Sequence, residues 1–194
     1  MTDWRQRLNA PTLPFLIVQL PNFGMRNTAP VESGWSGVRE GQRRAANADP
    51  HAALAVTIDV GDAAELHPPN KQAVGRRLAR AARAVVYGED IVPSGPIPAS
   101  VIRAQGAVLV RFTDIEERLV AYGGDGPIGF ELCGDAVGSC RFALARFDGE
   151  QTLRLTADNA QTATRVRYCW GDAPTCTLYD SAGAPAGPFE EAIR

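Results

Sequence analysis

The chain has 194 residues, 45% of them apolar, which is enough to bury a sizeable core in one large domain or two small ones. Twenty basic residues stand against twenty-two acidic ones, for a net charge of -2, and no long run of either sign occurs. This balance argues against nucleic acid and against an anionic membrane surface as partners.

The chain opens on "MTDWRQRLNAPTLPF", which lacks the basic, apolar and small-residue regions of a signal peptide. The following "PFLIVQL" (14–20) is a continuous apolar run of buried-strand length, far short of the roughly 20 residues that cross a bilayer as a helix. "SGWSGVREGQRRAAN" (33–47) reads as a helix with Ser33 as its N-cap, and "AALAVTIDV" (52–60) as a second buried strand. Asn70 can cap a third segment, "KQAVGRRLARAARAVVY", in which Val74, Leu78, Ala81 and Val85 recur at helical spacing, and Gly88 ends it. Strand, helix, strand, helix, with both strands apolar throughout, predicts a parallel sheet covered on two faces. Arg76, Arg77, Arg80 and Arg83 lie along the last helix and read as a solvated face.

The texture changes after "GEDIVPSGPIPAS" (88–100), a proline- and glycine-rich stretch that reads as a linker. Beyond it, "GAVLVRF", "RLVAYG", "GFELC", "CRFALARF", "TLRLTA" and "TRVRYCW" alternate like short strands, separated by turn residues, and predict an antiparallel sandwich-like module. Two domains are therefore expected, residues 1–95 and 96–194. All four cysteines lie in the second half, Cys133 with Cys140 and Cys169 with Cys176 as like-spaced pairs. Zinc sites usually pair cysteines two to four residues apart and often recruit histidine, so disulfides are favoured over metal, with the connectivity open among three possibilities. Disulfides imply an oxidising compartment.

Two histidines are present. His51, in "ADPHAAL", reads as a loop residue. His67 lies in "DVGDAAELHPPN", just beyond the second apolar strand, where open α/β sheets gather functional groups. Asp59, Asp62 and Glu65 share its loop and are candidates to orient an imidazole. A carboxylate, a histidine and a hydroxyl from elsewhere make an acyl-transfer site, whereas the plain structural role is to punctuate the following helix. Gln19 and Asn22, in "VQLPNF", are amide donors near the same rim, and Trp35 and Trp170 can stack on a sugar or tie loops to the core.

The run "TIDVGDAAELHPPNKQAVGRRLA" closely resembles the histidine block of sialate O-acetylesterases, carbohydrate esterases of the SGNH/GDSL hydrolase superfamily. "LPFLIVQLPNF", "ESGWSGVREGQ" and "VRYCWGDAPTCTLYDSAGAPAGPF" point the same way and in the same order. The resemblance implies a doubly wound hydrolase sheet, cut so that its C-terminal part remains, followed by a β-sandwich-like domain. It implies removal of O-acetyl groups from sugars by a serine and a histidine, with His67 as base, Asp62 as its orienter, Gln19, Asn22 and Trp35 touching substrate, and no metal or cofactor. The glycine-aspartate-serine block of that superfamily has no match: "GDAA", "GDGP" and "GDAV" lack the serine, and Val38 occupies the last glycine position that "GWSG" would need for a nucleophile elbow. The aspartate expected three residues before the histidine is Ala64. The nucleophile is thus expected from an upstream segment or a second chain, and exposed strands left by the cut are expected to favour a homo-oligomer. The family and the cysteines together imply a periplasmic or secreted protein. The rival readings are a non-catalytic carbohydrate-binding or interaction module and an inactive remnant.

Overall fold

The computed structural model describes residues 1–194. A short helix α1 (Thr2–Arg7) precedes strand β1 (Phe15–Val18), helix α2 (Gly34–Asn47), strand β2 (Ala52–Ala55) and helix α3 (Lys71–Val85). Strands β1 and β2 pair in parallel, Phe15 opposite Ala52 through Val18 opposite Ala55. The starts of α2 and α3 are capped as their sequences require: Ser33 accepts from the Ser36 amide and Asn70 from the Ala73 amide.

Strand β2 is shorter than its apolar run, because the chain leaves the sheet after Ala55, although Val56, Thr57 and Ile58 stay buried. Strand β1 departs from the buried strand expected of it. It has one neighbour, so its other edge is open; Phe15, Leu16 and Ile17 are half-buried and Val18 is exposed.

The second half is antiparallel throughout. Strands β3 (Ile97–Ala104), β4 (Ala107–Thr113), β5 (Leu119–Ala121), β6 (Phe130–Cys133), β7 (Arg141–Phe142), β8 (Leu144–Phe147), β9 (Thr152–Thr156), β10 (Arg165–Tyr168), β11 (Leu178–Asp180) and β12 (Phe189–Ala192) follow in order. They form two four-stranded sheets, β3-β4-β9-β8 and β12-β10-β6-β7, and a small β5-β11 ladder. The single run "CRFALARF" becomes two strands because the chain changes sheets at Ala143: β7 pairs with β6, and β8 with β9. Strand β3 occupies part of the stretch read as linker. Its prolines are tolerated because it is an edge strand with a bulge between Pro98 and Ser100. The Gln105-Gly106 turn, with both residues at positive φ (49° and 75°), closes it onto β4 as a two-residue hairpin.

One apolar cluster runs through the molecule. Leu54, Val56 and Ile58 from the first half join Val110, Phe112, Phe130, Leu132, Leu155, Tyr168 and Phe189 from the second. Phe130, Tyr168 and Phe189 stack at its centre with ring centroids 4.5–6.3 Å apart. The cysteines pair as Cys133–Cys140 and Cys169–Cys176, the first joining β6 to β7 and the second closing the loop after β10. No helix is long and apolar enough to cross a membrane.

Candidate active site

Because β1 and β2 are parallel, the loops that follow them, 19–33 and 56–70, emerge at the same end of the sheet. A third loop, 169–176, comes up from the sandwich between them. The Gly24 amide donates to the Ala63 carbonyl (2.9 Å), and the Phe23 amide to the Asp172 carbonyl (3.1 Å).

The third loop is held by α2. The face of α2 that points inward carries Ser36, Arg39, Glu40, Arg43 and Ala46, a helical stripe that is almost wholly polar yet buried. The Arg39 guanidinium, fully buried, donates to the carbonyls of Leu20 (3.0 Å), Pro21 (2.6 Å), Gly171 (2.7 Å) and Asp172 (2.7 Å). Burial lowers its pKa to about 10, still well above neutrality. Ser36 Oγ donates to the Gly171 carbonyl and accepts from the Gly171 amide, while Ser33 Oγ donates to Asp172. Both serines are thus committed to the seam between the two halves, and neither bonds the His67 ring.

His67 stands on the 56–70 loop with its side chain 83% exposed. Its Nδ1 lies 3.3 Å from Glu65 Oε1, and its backbone amide donates to the same oxygen at 2.7 Å. The carboxylate beside the ring is therefore Glu65. Asp62, expected in that place, instead accepts from the Ala64 amide at 2.8 Å, an Asx turn that uses its Oδ1 locally and shapes the loop. Asp59 is engaged by Arg77 through two 2.6 Å contacts.

The other candidates divide. Asn22 lies against the histidine loop: a side chain added at Gly61 would overlap the Asn22 backbone and its Oδ1. That Oδ1 is buried with no hydrogen-bond partner. Trp35, half-buried at the start of α2, packs its ring 6.0 Å from Phe23, and its Nε1 has no partner either. Gln19 does not reach the rim. It is fully buried, its Nε2 donates to the Arg39 carbonyl and its own carbonyl accepts from the Thr57 hydroxyl, so its place is internal. The arginines of α3 divide: Arg77 holds Asp59 and Arg80 holds Glu116, both half-buried, whereas Arg76 and Arg83 are exposed, Arg83 beside Glu89; all four border a cleft of about 560 Å³ between α3 and the second half.

Gly61→Ala is expected to destabilise the chain by about 2 kcal/mol and to loosen the histidine loop, because backbone atoms of Asn22 cannot rotate away from the new methyl group. Urea unfolding, with amide exchange at residues 61–67, measures both.

No protein-family model matches the sequence. The fold nevertheless superposes on a carbohydrate acetylesterase from Xanthomonas citri with a TM-score of 0.86 and 33% sequence identity, covering 98% of this chain and 44% of that one. The chain is homologous to the carbohydrate acetylesterases. Sialate O-acetylesterase of mouse is 29% identical over 210 residues, 96% of this chain and 38% of that protein. Its human counterpart is 29% identical over 153 residues, 72% of this chain and 29% of that protein. This esterase homologue thus spans about two-fifths of the length of the mouse and Xanthomonas relatives. The mixed architecture, a small parallel sheet with helices followed by antiparallel sheets, is the one it shares with the Xanthomonas enzyme.

Near the first disulfide, Glu131 lies with Cys133 and Cys140 so that their ligand atoms are within 4.8 Å of one another. The two sulfurs are bonded to each other and offer no thiolate, so the group is not a metal site in this oxidised form.

Proposed function

We propose that this chain is the histidine-bearing part of an esterase that removes O-acetyl groups from sugars by serine-histidine acyl transfer. The observation that carries the reading is the His67 ring, open to solvent beyond the parallel strands and backed at Nδ1 by the Glu65 carboxylate. A carboxylate at Nδ1 favours the tautomer whose Nε2 accepts a proton, and it stabilises the imidazolium that forms when a serine attacks an acetyl carbonyl. Glu65 takes the orienting role, with Asp62 shaping the turn that presents it. The reading assigns the acetylated sugar to Asn22 and Trp35, on the neighbouring loop and helix start.

The serine comes from an upstream segment of the same protein or from a second chain. In that arrangement residues 1–95 are the C-terminal part of a hydrolase-like sheet, whose open β1 edge accepts the missing strands, and residues 96–194 are a sandwich-like domain. Where those strands are absent, the same open edge pairs instead with a second copy, giving a homo-oligomer. The two disulfides support an oxidising compartment, periplasmic or extracellular.

The test is complementation. The chain alone should turn over p-nitrophenyl acetate negligibly, and mixing or co-expression with the upstream segment of an acetylesterase homologue should restore turnover. In the restored complex, His67→Ala should lower kcat about a hundredfold, the low end for a general base because the His67–Glu65 pair is solvent-exposed. Brisk turnover by the chain alone, abolished by His67→Ala, would place the nucleophile within these residues. Restored turnover that ignores His67→Ala would remove the histidine from the mechanism.

A further inference from the structure

A second cleft, of about 300 Å³, opens on the sandwich half and has no part in the acyl-transfer chemistry. Strand β6, the β7 end and loop 169–176 wall it, and among its lining residues are Asn27, Ile128, Glu131, Phe142, Trp170 and Thr175. Two of these are buried polar groups left incomplete. Glu131, only 1% exposed, has an Oε2 with no hydrogen-bond partner, and Trp170, 7% exposed, has an Nε1 with none. Both residues line the cleft, and a buried orphan of this kind costs about 1–3 kcal/mol in a protein interior, so a ligand group that reached either atom through a small shift of the cleft wall would be held there. Arg167 does not complete Glu131, although it is its cross-strand neighbour. The guanidinium is spent on Glu32 (3.0 Å twice) and Glu190 (2.6 Å), and it lies over the Trp170 ring at 4.4 Å.

The charges around the cleft select the class of ligand. A cation suits Glu131 but meets the Arg167 guanidinium behind Trp170 and cannot accept from an indole N–H. An anion suits the N–H but faces Glu131 and Glu32. An uncharged hydroxyl both donates to a carboxyl oxygen and accepts from an N–H. Ile128 and Phe142, 52% and 48% exposed, add an apolar surface of the kind that packs on the C–H face of a pyranose ring. The volume is at the lower end for small-molecule sites and holds one such ring.

We propose that this cleft is a subsite for an uncharged sugar residue of a glycan, held by the Glu131 carboxyl, the Trp170 indole N–H and the apolar side of Phe142. Loop 19–33 links it to the histidine region, since it carries Asn27 at the cleft and Asn22 against Gly61. The proposal goes beyond the esterase reading and does not depend on it: its readout is binding, without turnover.

Saturation-transfer NMR and calorimetric titration of the whole chain with glucose, galactose, xylose, cellobiose and lactose test it, with N-acetylneuraminic acid as a charged counterpart. At least one uncharged sugar should bind in the millimolar range, more tightly than the charged one. Glu131→Gln and Phe142→Ala should each weaken it about tenfold. Phe142 is half exposed, so its truncation leaves the core intact and the test does not hang on a buried variant. Absence of binding by every uncharged sugar, meaning that water alone completes the orphans, overturns the proposal. So does preference for the charged sugar, or binding that neither substitution weakens.

Discussion

Arg39→Ala is expected to cost about 3–5 kcal/mol of unfolding free energy, the largest effect of any single substitution argued for this chain. The guanidinium is fully buried and donates to four carbonyls drawn from two segments more than 130 residues apart, Leu20 and Pro21 on one side and Gly171 and Asp172 on the other. Truncation leaves the Leu20 and Pro21 carbonyls without their donor, takes one of two donors from Gly171 and Asp172, which keep Ser36 Oγ and the Phe23 amide, and opens a cavity the size of a side chain. Arg39→Lys should recover only part of the loss, because an ammonium has three donors radiating from one point and cannot span carbonyls that a planar fork reaches together. Urea unfolding of the three proteins gives the comparison. Because the same carbonyls position loops 19–33 and 169–176, amide exchange in both should rise in Arg39→Ala even under native conditions. A loss below about 1 kcal/mol, with both loops still protected, would mean that the apolar core alone joins the halves.

That seam marks the limit of what the sequence discloses. The helix over 33–47, its Ser33 cap, the Asn70 cap and most of the sandwich strands follow from local patterns of spacing and turn residues. The inward face of α2 does not. Ser36, Arg39, Glu40 and Arg43 look like a surface stripe by composition; Ser36 and Arg39 bond carbonyls of loop 169–176, and Arg43 pairs with Glu40 and with Glu191 of β12, so that the loop and Glu191 are partners that no nearby residue announces. The same holds for Arg80 of α3, whose acidic partner is the distant Glu116. Strand β3 was obscured by Pro96 and Pro98, which argue against a central strand but not against a bulged edge. The half-exposed β1 has a different cause: an apolar strand is read as buried on the assumption that a sheet surrounds it, and here one neighbour is present.

The candidate site divides in the same way. A histidine following a strand is visible locally, as is its acidic loop. Which carboxylate meets the ring is decided by turn geometry, because Asp62 spends its Oδ1 on the Ala64 amide while Glu65 folds back on His67. Gln19 and Asn22 are three residues apart and look equivalent, yet Gln19 points into the seam and Asn22 toward Gly61. Glu131 carried no signal at all, since "GFELC" reads as an alternating strand whose glutamate should face water. It is inward because its strand lies beneath loop 169–176 and is buried at every position.

Glu131 should make the whole protein less stable as pH rises from about 4.5 to about 7. Burial pushes its carboxyl up from 4.5 to about 7; Arg167 offsets part of this and Glu32 adds to it. The unfolded chain releases the proton near the ordinary value while the native state keeps it, so the native state binds more protons across this interval. Stability from this group is therefore complete below about pH 4.5, falls through the interval by about 3 kcal/mol, and is level above it. Glu32 works in the opposite sense and in another window. Its bonds to Arg167 hold its pKa below the usual carboxylate value, so its contribution is lost only as pH drops under about 4.5. Burial opposes the charge on Arg167, but its bonds to Glu32 and Glu190 outweigh that and keep it cationic throughout. The measurement is the unfolding free energy of the parent protein and of Glu131→Gln in urea from pH 5 to pH 8. The difference should be small at pH 5, where both side chains are uncharged, and should grow in favour of Glu131→Gln to about 3 kcal/mol at pH 8. A difference that stays constant with pH would mean that Glu131 is ionised in the folded protein throughout. Its second oxygen would then have found a donor in the cleft, and the same titration repeated with a bound sugar would show whether that donor is a hydroxyl.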